Sequence, residues 1–384
     1  MKVLFLSFNG FFDYNGISKK KLAQIKGIEE LGYKVVNGYY TVHPENGHRF
    51  WMADDHALID LGRGAWAKIR KRIDYKPLLT FIKNQQVSVV YIRSDHNATP
   101  FFVRFVKKLK QMGIKVVMEI PTYPYDQEYS TCIRKSFLLI DRLCRKSLAK
   151  QLQAMVTFSN ALEIFGQRTI RISNGIDFSS IRIKQNHHTP GELHLIGVAE
   201  IHYWHGFDRV VAGLRDYYRG DDQPFQVFFH IVGEFAGTRE RDAILSLITE
   251  NQLEKYVTLH GRLFGAALDK LFDLADMGIG SLGRHRSGIT FIKTLKNREY
   301  AARGIPFIYS ETDVDFEAMP YIMKVPADDS PVNIESIIDF FHKESWDASA
   351  IRKSVAHLSW RNQMQKVMEQ LALLPDYEPL MDGK

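Results

Sequence analysis

Residues 294–308 read TLKNREYAARGIPFI, a charged helical stretch that runs through a glycine into a short apolar strand. A helix closing on Gly304 with a strand starting near Pro306 is the second half of a strand–helix–strand crossover, the unit of parallel sheets. The helical part sets Lys296, Arg298 and Glu299 within four residues, which reads as a face turned to water. The other reading is a site where a lone carboxylate among basic residues holds a ligand bearing both hydroxyls and phosphates.

The pattern repeats on either side of this stretch. Strand-like runs at 192–200, 226–233, 256–261, 277–283, 305–310 and 321–326 are separated mostly by helical segments. An earlier set covers 2–8, 34–40, 87–92, 114–120, 154–158 and 169–173, with helical patterns such as 17–31 and 101–113 between them. Strands alternating with helices imply right-handed crossovers and parallel sheets. The polar linker IKQNHHTPG separates the two sets. The expected fold is therefore α/β, with two doubly wound Rossmann-like domains facing across a cleft: residues 1–187, and residues 188–358. The helix at 360–375 is expected to pack back on the first domain.

The 384 residues, 45% hydrophobic and 25% charged, match a soluble globular chain. Cys132 and Cys144 have neither metal nor redox spacing, and MKVLFLSFNG has no signal-peptide pattern. The expected compartment is the cytoplasm, with a peripheral position at the inner face of the cell membrane as a further option. Charge is uneven. Residues 1–185 hold 30 Lys and Arg against 15 Asp and Glu, a surplus of +15, while the remainder carries −8. Such a basic half suits anionic lipid or a phosphorylated substrate; no nucleic-acid motif accompanies it. The segments 66–83 and 101–113 mix aromatics with Lys and Arg, and either cover a sheet or lie on an anionic bilayer.

In the second half each strand delivers chemistry to its carboxyl end: Glu200, His202, Trp204, His205 and Gly206; Gly233 and Glu234; Gly261 and Arg262; Arg284, His285, Arg286 and Gly288; then the helix with Lys296 and Glu299. Glycines admit close backbone approach, helix N-termini and arginines hold phosphate, and a carboxylate accepts from ribose hydroxyls. These pieces describe a nucleotide-diphosphate pocket without a metal.

The order NGID (174–177), VGEF, HGRL, LADMGIGSLG and LKNREYAARGIPFI resembles the retaining group 1 (family four) glycosyltransferases of GT-B fold. VVYIRSD and VVMEIPTYPYDQE resemble the bacterial polysaccharide-biosynthesis members. The resemblance implies transfer of a sugar, of hexosyl type, from a nucleotide-diphosphate donor (a UDP-sugar over a GDP-sugar) to a glycan or lipid-diphosphate-linked acceptor, with no cofactor. It implies that Glu299 holds the donor ribose as the second Glu of a Glu-seven-residues-Glu motif. Two departures stand out. The first Glu is Phe291, and the family's Arg and Lys on the diphosphate match Glu200 and His205. The missing positive charge is expected from Arg284, Arg286 or Lys296, with His205 contributing when protonated.

On the acceptor side, Gly16 opens a helix beside the loop FFDYN, expected to be a mobile wall. Asp95 and His96 follow a strand and could contact the sugar, while Glu119 and Asp126 could orient the acceptor hydroxyl. Structural readings stand beside these. Glu299 could pair with Lys296 or Arg298, Trp204 could be packing, and Asp313-x-Asp315 reads as a helix cap rather than a metal site. No third ligand accompanies His202 and His205. The rivals are a nucleotide-sugar epimerase on the same scaffold and a non-catalytic sugar-nucleotide-binding or scaffold protein, which Phe291 favours.

Overall fold

The computed structural model describes residues 1–11, 16–95, 98–126, 129, 132–185, 188–220 and 223–375. Its contacts divide the chain into two units, one of residues 1–175 with 360–384, the other of residues 176–359.

The first unit runs β1 (Lys2–Ser7), α1 (Gly16–Glu29), β2 (Lys34–Val42), β3 (Arg49–Ala53), β4 (His56–Gly62), α2 (Gly64–Ile73), α3 (Lys76–Asn84), β5 (Val89–Arg93), α4 (Pro100–Gln111), β6 (Lys115–Ile120), α5 (Cys132–Ala149), β7 (Ala154–Thr157), β8 (Glu163–Ile164) and β9 (Gln167–Arg171). Its sheet has the order β4-β3-β2-β1-β5-β6-β7-β9-β8. The strands from β2 to β9 across the middle are parallel; β3 and β4 form an antiparallel hairpin at one edge. That hairpin is absent from the sequence reading. Its turn, Ala53-Asp54-Asp55-His56, carries Asp54 at φ 48° in place of the glycine that usually announces such a turn. The central parallel strands β1, β5, β6 and β7 are almost wholly buried, because helices cover both faces. Apolar residues of α2 to α5 fill one side, while α1 and the chain-terminal helix fill the other.

The second unit runs β10 (Glu192–Val198), α6 (Phe207–Arg219), β11 (Gln226–Val232), α7 (Thr238–Glu250), β12 (Val257–Leu259), α8 (Ala266–Leu274), β13 (Met277–Ile279), α9 (Leu295–Arg303), β14 (Phe307–Tyr309), β15 (Ile322–Lys324), α10 (Ile334–Lys343) and α11 (Ala348–Ser354). The chain then returns to the first unit as α12 (Trp360–Leu373), which packs against α1. The second sheet is entirely parallel, in the order β12-β11-β10-β13-β14-β15. Strand order reverses between β10 and β13, so the loops leaving those two strands diverge and open a crevice at their carboxyl ends.

Helix α9 is not the solvated face that its charges suggest. Asn297, Arg298, Tyr300, Ala301, Ala302 and Arg303 are buried. Tyr300 fastens it to the sheet: its ring occupies the space that a side chain at Gly278 would fill, since a Cβ there would stand 2.6 Å from the ring. Its hydroxyl accepts from the Val198 amide at 3.3 Å and lies 3.0 Å from the Ile279 carbonyl, its acceptor. The helix ends on Gly304 at φ 79°, where a Cβ would collide with Ala348.

Across the other half of the same sheet runs a row of imidazoles. His194 Nδ1 meets His230 Nε2 at 3.0 Å, and His230 Nδ1 meets His260 Nε2 at 3.0 Å. Glu192 Oε2 closes the row on His194 Nε2 at 3.1 Å.

Tyr300→Phe keeps the ring and leaves the part-buried Val198 amide without the hydroxyl it donates to. A loss of about 1–3 kcal/mol in denaturant unfolding is expected; an unchanged midpoint would show that the hydroxyl does not fasten α9.

Candidate functional site

The carboxyl ends of β10, β13 and β14 converge on the first turn of α9, and here polar atoms are buried without hydrogen-bond partners among the described residues. Ser281 Oγ follows β13, Glu311 Oε2 follows β14, and Thr294 Oγ1, Lys296 Nζ and Asn297 Oδ1 belong to the start of α9. The backbone holds them together: Ser310 donates its amide to the Ser281 carbonyl at 3.1 Å, and a Cβ on Gly280 would stand 2.9 Å from Asn297 Oδ1. Buried polar groups are ordinarily satisfied, because each unmade hydrogen bond costs about 1–3 kcal/mol. A cluster of exceptions therefore points to a ligand.

Lys296 is the cation of this cluster. Its stem is partly exposed, but the ammonium is enclosed, 5.1 Å from the centre of the Phe207 ring. Burial and the neighbouring Arg284 hold its pKa well below the usual lysine range, against the opposing pull of Glu311. Arg284 lies with its guanidinium 5.4 Å from the centre of the Trp204 ring. Trp204 in turn stacks on His202 at 4.1 Å.

The structure redistributes the expected roles. His205 is buried, its Nδ1 accepts from the His202 amide at 3.0 Å, and desolvation with Lys296 and Arg284 nearby pushes its pKa well down. Burial and these cations thus oppose the protonated form in which His205 is expected to contribute positive charge. Arg286 is committed to protein partners: both carboxylate oxygens of Asp208 at 2.9 and 2.8 Å, Asp329 at 2.6 Å and the Tyr203 carbonyl at 2.8 Å. Of the expected cations, Lys296 and Arg284 remain beside the cluster. Glu299 lies one turn along α9 and pairs with Arg303, not with Lys296 or Arg298; both hydrogen bonds, 3.1 and 2.9 Å, fall on Oε1. Arg262 pairs with Glu234 at 2.7 Å at the exposed end of β12.

Two glycines are fixed by crowding. Gly206, at φ 67°, caps the turn before α6, where a Cβ would stand 2.7 Å from the Leu282 backbone. Gly233, at φ 131°, would drive a Cβ to 1.6 Å from the Ala199 carbonyl oxygen. Gly288 ends the short turn Arg284–Ser287 in a left-handed conformation with open space around it. Phe291 is exposed and bridges Thr312.

Asp313 is not a helix cap. It is buried under Arg298, which donates to it at 2.5 and 3.0 Å and also binds Asp315. Among the described residues no group of three His, Cys, Asp or Glu is arranged to hold a metal ion.

In the first unit Glu119 is fully buried at the end of β6. Tyr91 and Gln24 each donate to Oε2 at 2.6 Å, while Arg93 and Lys20 (3.4 Å) engage Oε1. These partners overcome desolvation and bring its pKa down to about 2. Glu119 is thus a buried counter-ion, with no oxygen left to orient an acceptor. Asp126 is likewise taken by Arg142 and Arg145 on α5. Asp95 lies 3.7 Å from Lys71 Nζ and 3.5 Å from the Asn9 amide group. His96 and the loop 12–15 lie outside the described residues. Gly16 begins α1 in open space.

No protein-family model and no curated protein matches the chain. Solved structures do. Anabaena HepE in complex with UDP is 15% identical with a TM-score of 0.64, covering 97% of this chain and 100% of that one. The catalytic domain of starch synthase IV from Arabidopsis thaliana, bound to ADP and acarbose, is 11% identical with a TM-score of 0.66, covering 96% and 98%. Trehalose-6-phosphate synthase OtsA is 12% identical with a TM-score of 0.60, covering 97% and 99%. The chain has the GT-B fold.

Ser281, Thr294, Asn297 and Glu311 escaped the sequence reading. A signal for two of them was present: Glu311 follows a strand directly, and Thr294 stands where an N-cap belongs.

Because its folded pKa is depressed, Glu119 stabilises the fold above the ordinary carboxylate range, and that contribution drains away as pH falls towards 2. Glu119→Gln is expected to cost about 3–5 kcal/mol at neutral pH, where it strands buried cations. The cost should shrink in chemical denaturation near pH 3; an equal cost at both pH values would remove the ionised carboxylate from the account.

Proposed function

We propose that this chain is a glycosyltransferase that takes its sugar from a nucleotide-diphosphate donor held by the second unit. The observation that carries the reading is the buried Lys296 amino group, without a hydrogen-bond partner among the described residues, beside unpartnered hydroxyl, amide and carboxylate atoms at the switch point of a doubly wound sheet. A diphosphate supplies what that group lacks, namely negative charge and acceptor oxygens. The neighbouring fold supports the reading: HepE is a complex with UDP, and a further structure holds UDP-glucose. This favours UDP over GDP.

In this reading Lys296 and Arg284 take over the diphosphate contacts, and Glu299 accepts from the ribose through Oε2, while Arg303 fixes Oε1. Gly206 and Gly233 let backbone amides approach. Catalysis is positioning plus charge stabilisation. The bond from the anomeric carbon to the diphosphate oxygen breaks, the acceptor hydroxyl oxygen bonds to that carbon with retention, and its proton passes to the departing phosphate. The two carboxylates that a metal would seek, Asp313 and Asp315, are engaged by Arg298, which supports metal-independent transfer. The acceptor, a glycan or lipid-diphosphate-linked glycan in cell-surface polysaccharide synthesis, falls to the first unit.

A second reading, a sugar-nucleotide-binding protein without turnover, is favoured by Phe291, an exposed ring at a position where the resembling family carries a carboxylate.

Lys296 is depressed in the free protein, and a diphosphate beside it raises its pKa, so binding should draw a proton from solution. Affinity should accordingly weaken as pH rises. In titration calorimetry with UDP, the apparent enthalpy should follow the buffer's ionisation enthalpy. Lys296→Met should abolish that dependence and weaken binding at least about tenfold, some 1.4 kcal/mol. Wild-type affinity and proton uptake in the variant would displace the phosphates from Lys296. Release of UDP from UDP-sugar only when an acceptor glycan is added separates transfer from binding alone.

A further inference from the structure

The outer faces of α2, α4 and α5 carry apolar side chains that stand exposed among the described residues. Trp66 on α2 is 63% exposed, and Leu139 and Leu143 on α5 are 60% and 74% exposed; Ile69, Phe101 and Ile140 add to them. All three helices turn their buried sides into the same core layer, so their outer sides lie on one side of the first sheet. Arg72 of α2 lies over the Phe137 ring of α5 at 4.3 Å and links the two helices.

Charge on these helices has one sign. Cations fill α2 and α4, which contain no acidic residue, and the only acidic residue of α5, Asp141, is buried beneath the Tyr125 hydroxyl at 2.7 Å. On α5 the residues Lys135, Leu139, Arg142, Leu143 and Lys146 recur at helical spacing along one exposed stripe, cations alternating with leucines, and of these cations Arg142 also pairs with Asp126.

We infer that this face docks the protein on an anionic lipid bilayer, with Trp66, Leu139 and Leu143 entering the headgroup boundary and the flanking Lys and Arg meeting lipid phosphates. The combination decides the partner. A polyanion alone would require the cations but leave exposed leucines at 60% and 74% in water. An apolar protein surface would leave the exposed Lys68, Arg104, Lys107, Lys108, Lys135 and Lys146 without counter-charge. A bilayer interface satisfies both, since amphipathic helices bind it through buried apolar area plus attraction to anionic lipid, each cation near the surface adding about fivefold in affinity. No helix among the described residues is long and apolar enough to cross a membrane, so contact is confined to the surface. This inference is independent of the donor site.

The test is flotation of the full chain with vesicles of phosphatidylcholine alone and of an equimolar mixture with phosphatidylglycerol. Wild type is expected to float with the mixed vesicles and not with phosphatidylcholine alone, and its tryptophan emission to shift to the blue. Trp66→Phe should remove most of that shift. Leu139→Asp with Leu143→Asp, both at solvent-exposed positions, should weaken flotation at least tenfold while the melting temperature stays within a few degrees of wild type. Lys135→Glu with Lys146→Glu should do the same through charge. No flotation with mixed vesicles would overturn the inference. So would equal flotation of the leucine variant, or retention on duplex DNA without vesicle binding, which would assign the face to a polyanion.

Discussion

The second unit hangs on Arg298. Its guanidinium is almost completely buried, and Asp313, itself buried, takes two of its hydrogen bonds while Asp315 takes another. Desolvating these groups is expensive, and their mutual attraction offsets that cost only because the geometry is tight. What the arrangement provides is location. Asp313 lies just beyond β14 and Arg298 in the second turn of α9, so the pair pins the helix start against the strand end. Lys296, Thr294 and Asn297 are carried on that start. Tyr300 supplies the second fastening, from two residues further on to β10 and β13. The unpartnered atoms around Lys296 stay in place because α9 cannot shift to satisfy them.

The same interaction explains where the sequence misleads. The central parallel strands are legible because helices on both faces make them near-continuous apolar runs, as in β1, β5 and β7, and local composition reports that directly. The β3–β4 hairpin is not, since its turn adopts a positive φ at Asp54 without glycine. Charges in LKNREYAAR read as solvated because nothing within one turn contradicts it. Arg298 finds its partners 15 and 17 residues later, a pairing that no local pattern carries. Glu119 fails in the same way: a carboxylate ending a strand resembles a reactive group until Lys20, Gln24, Tyr91 and Arg93 are seen to converge on it from α1 and β5. Lys296 and Arg284 were legible as cations at strand ends. That Arg286 is spent on Asp208 and Asp329 and that a charge on His205 is opposed depended on burial and distance.

Charge also divides the labour. Among the positive groups of the first unit, one set is buried against carboxylates or carbonyls, as with Lys20, Lys21 and Lys71, and another is displayed on the outer helices. The buried set shapes the strand ends and gives little to a long-range field. The displayed set acts at a distance and weakens with salt.

The imidazole row in the second sheet has a consequence that concerns protons alone. When Glu192 takes the Nε2 proton of a neutral His194, the Nδ1 of that ring must accept, so His230 donates from Nε2 and accepts at Nδ1, and His260 donates from Nε2 in turn. One carboxylate at the foot of β10 thus sets the tautomer of three rings across three strands. The last of them, His260, immediately precedes Gly261 and Arg262. Neutralising that carboxylate would free the whole row to reverse its polarity, changing which nitrogen His260 offers at the far edge without moving a heavy atom.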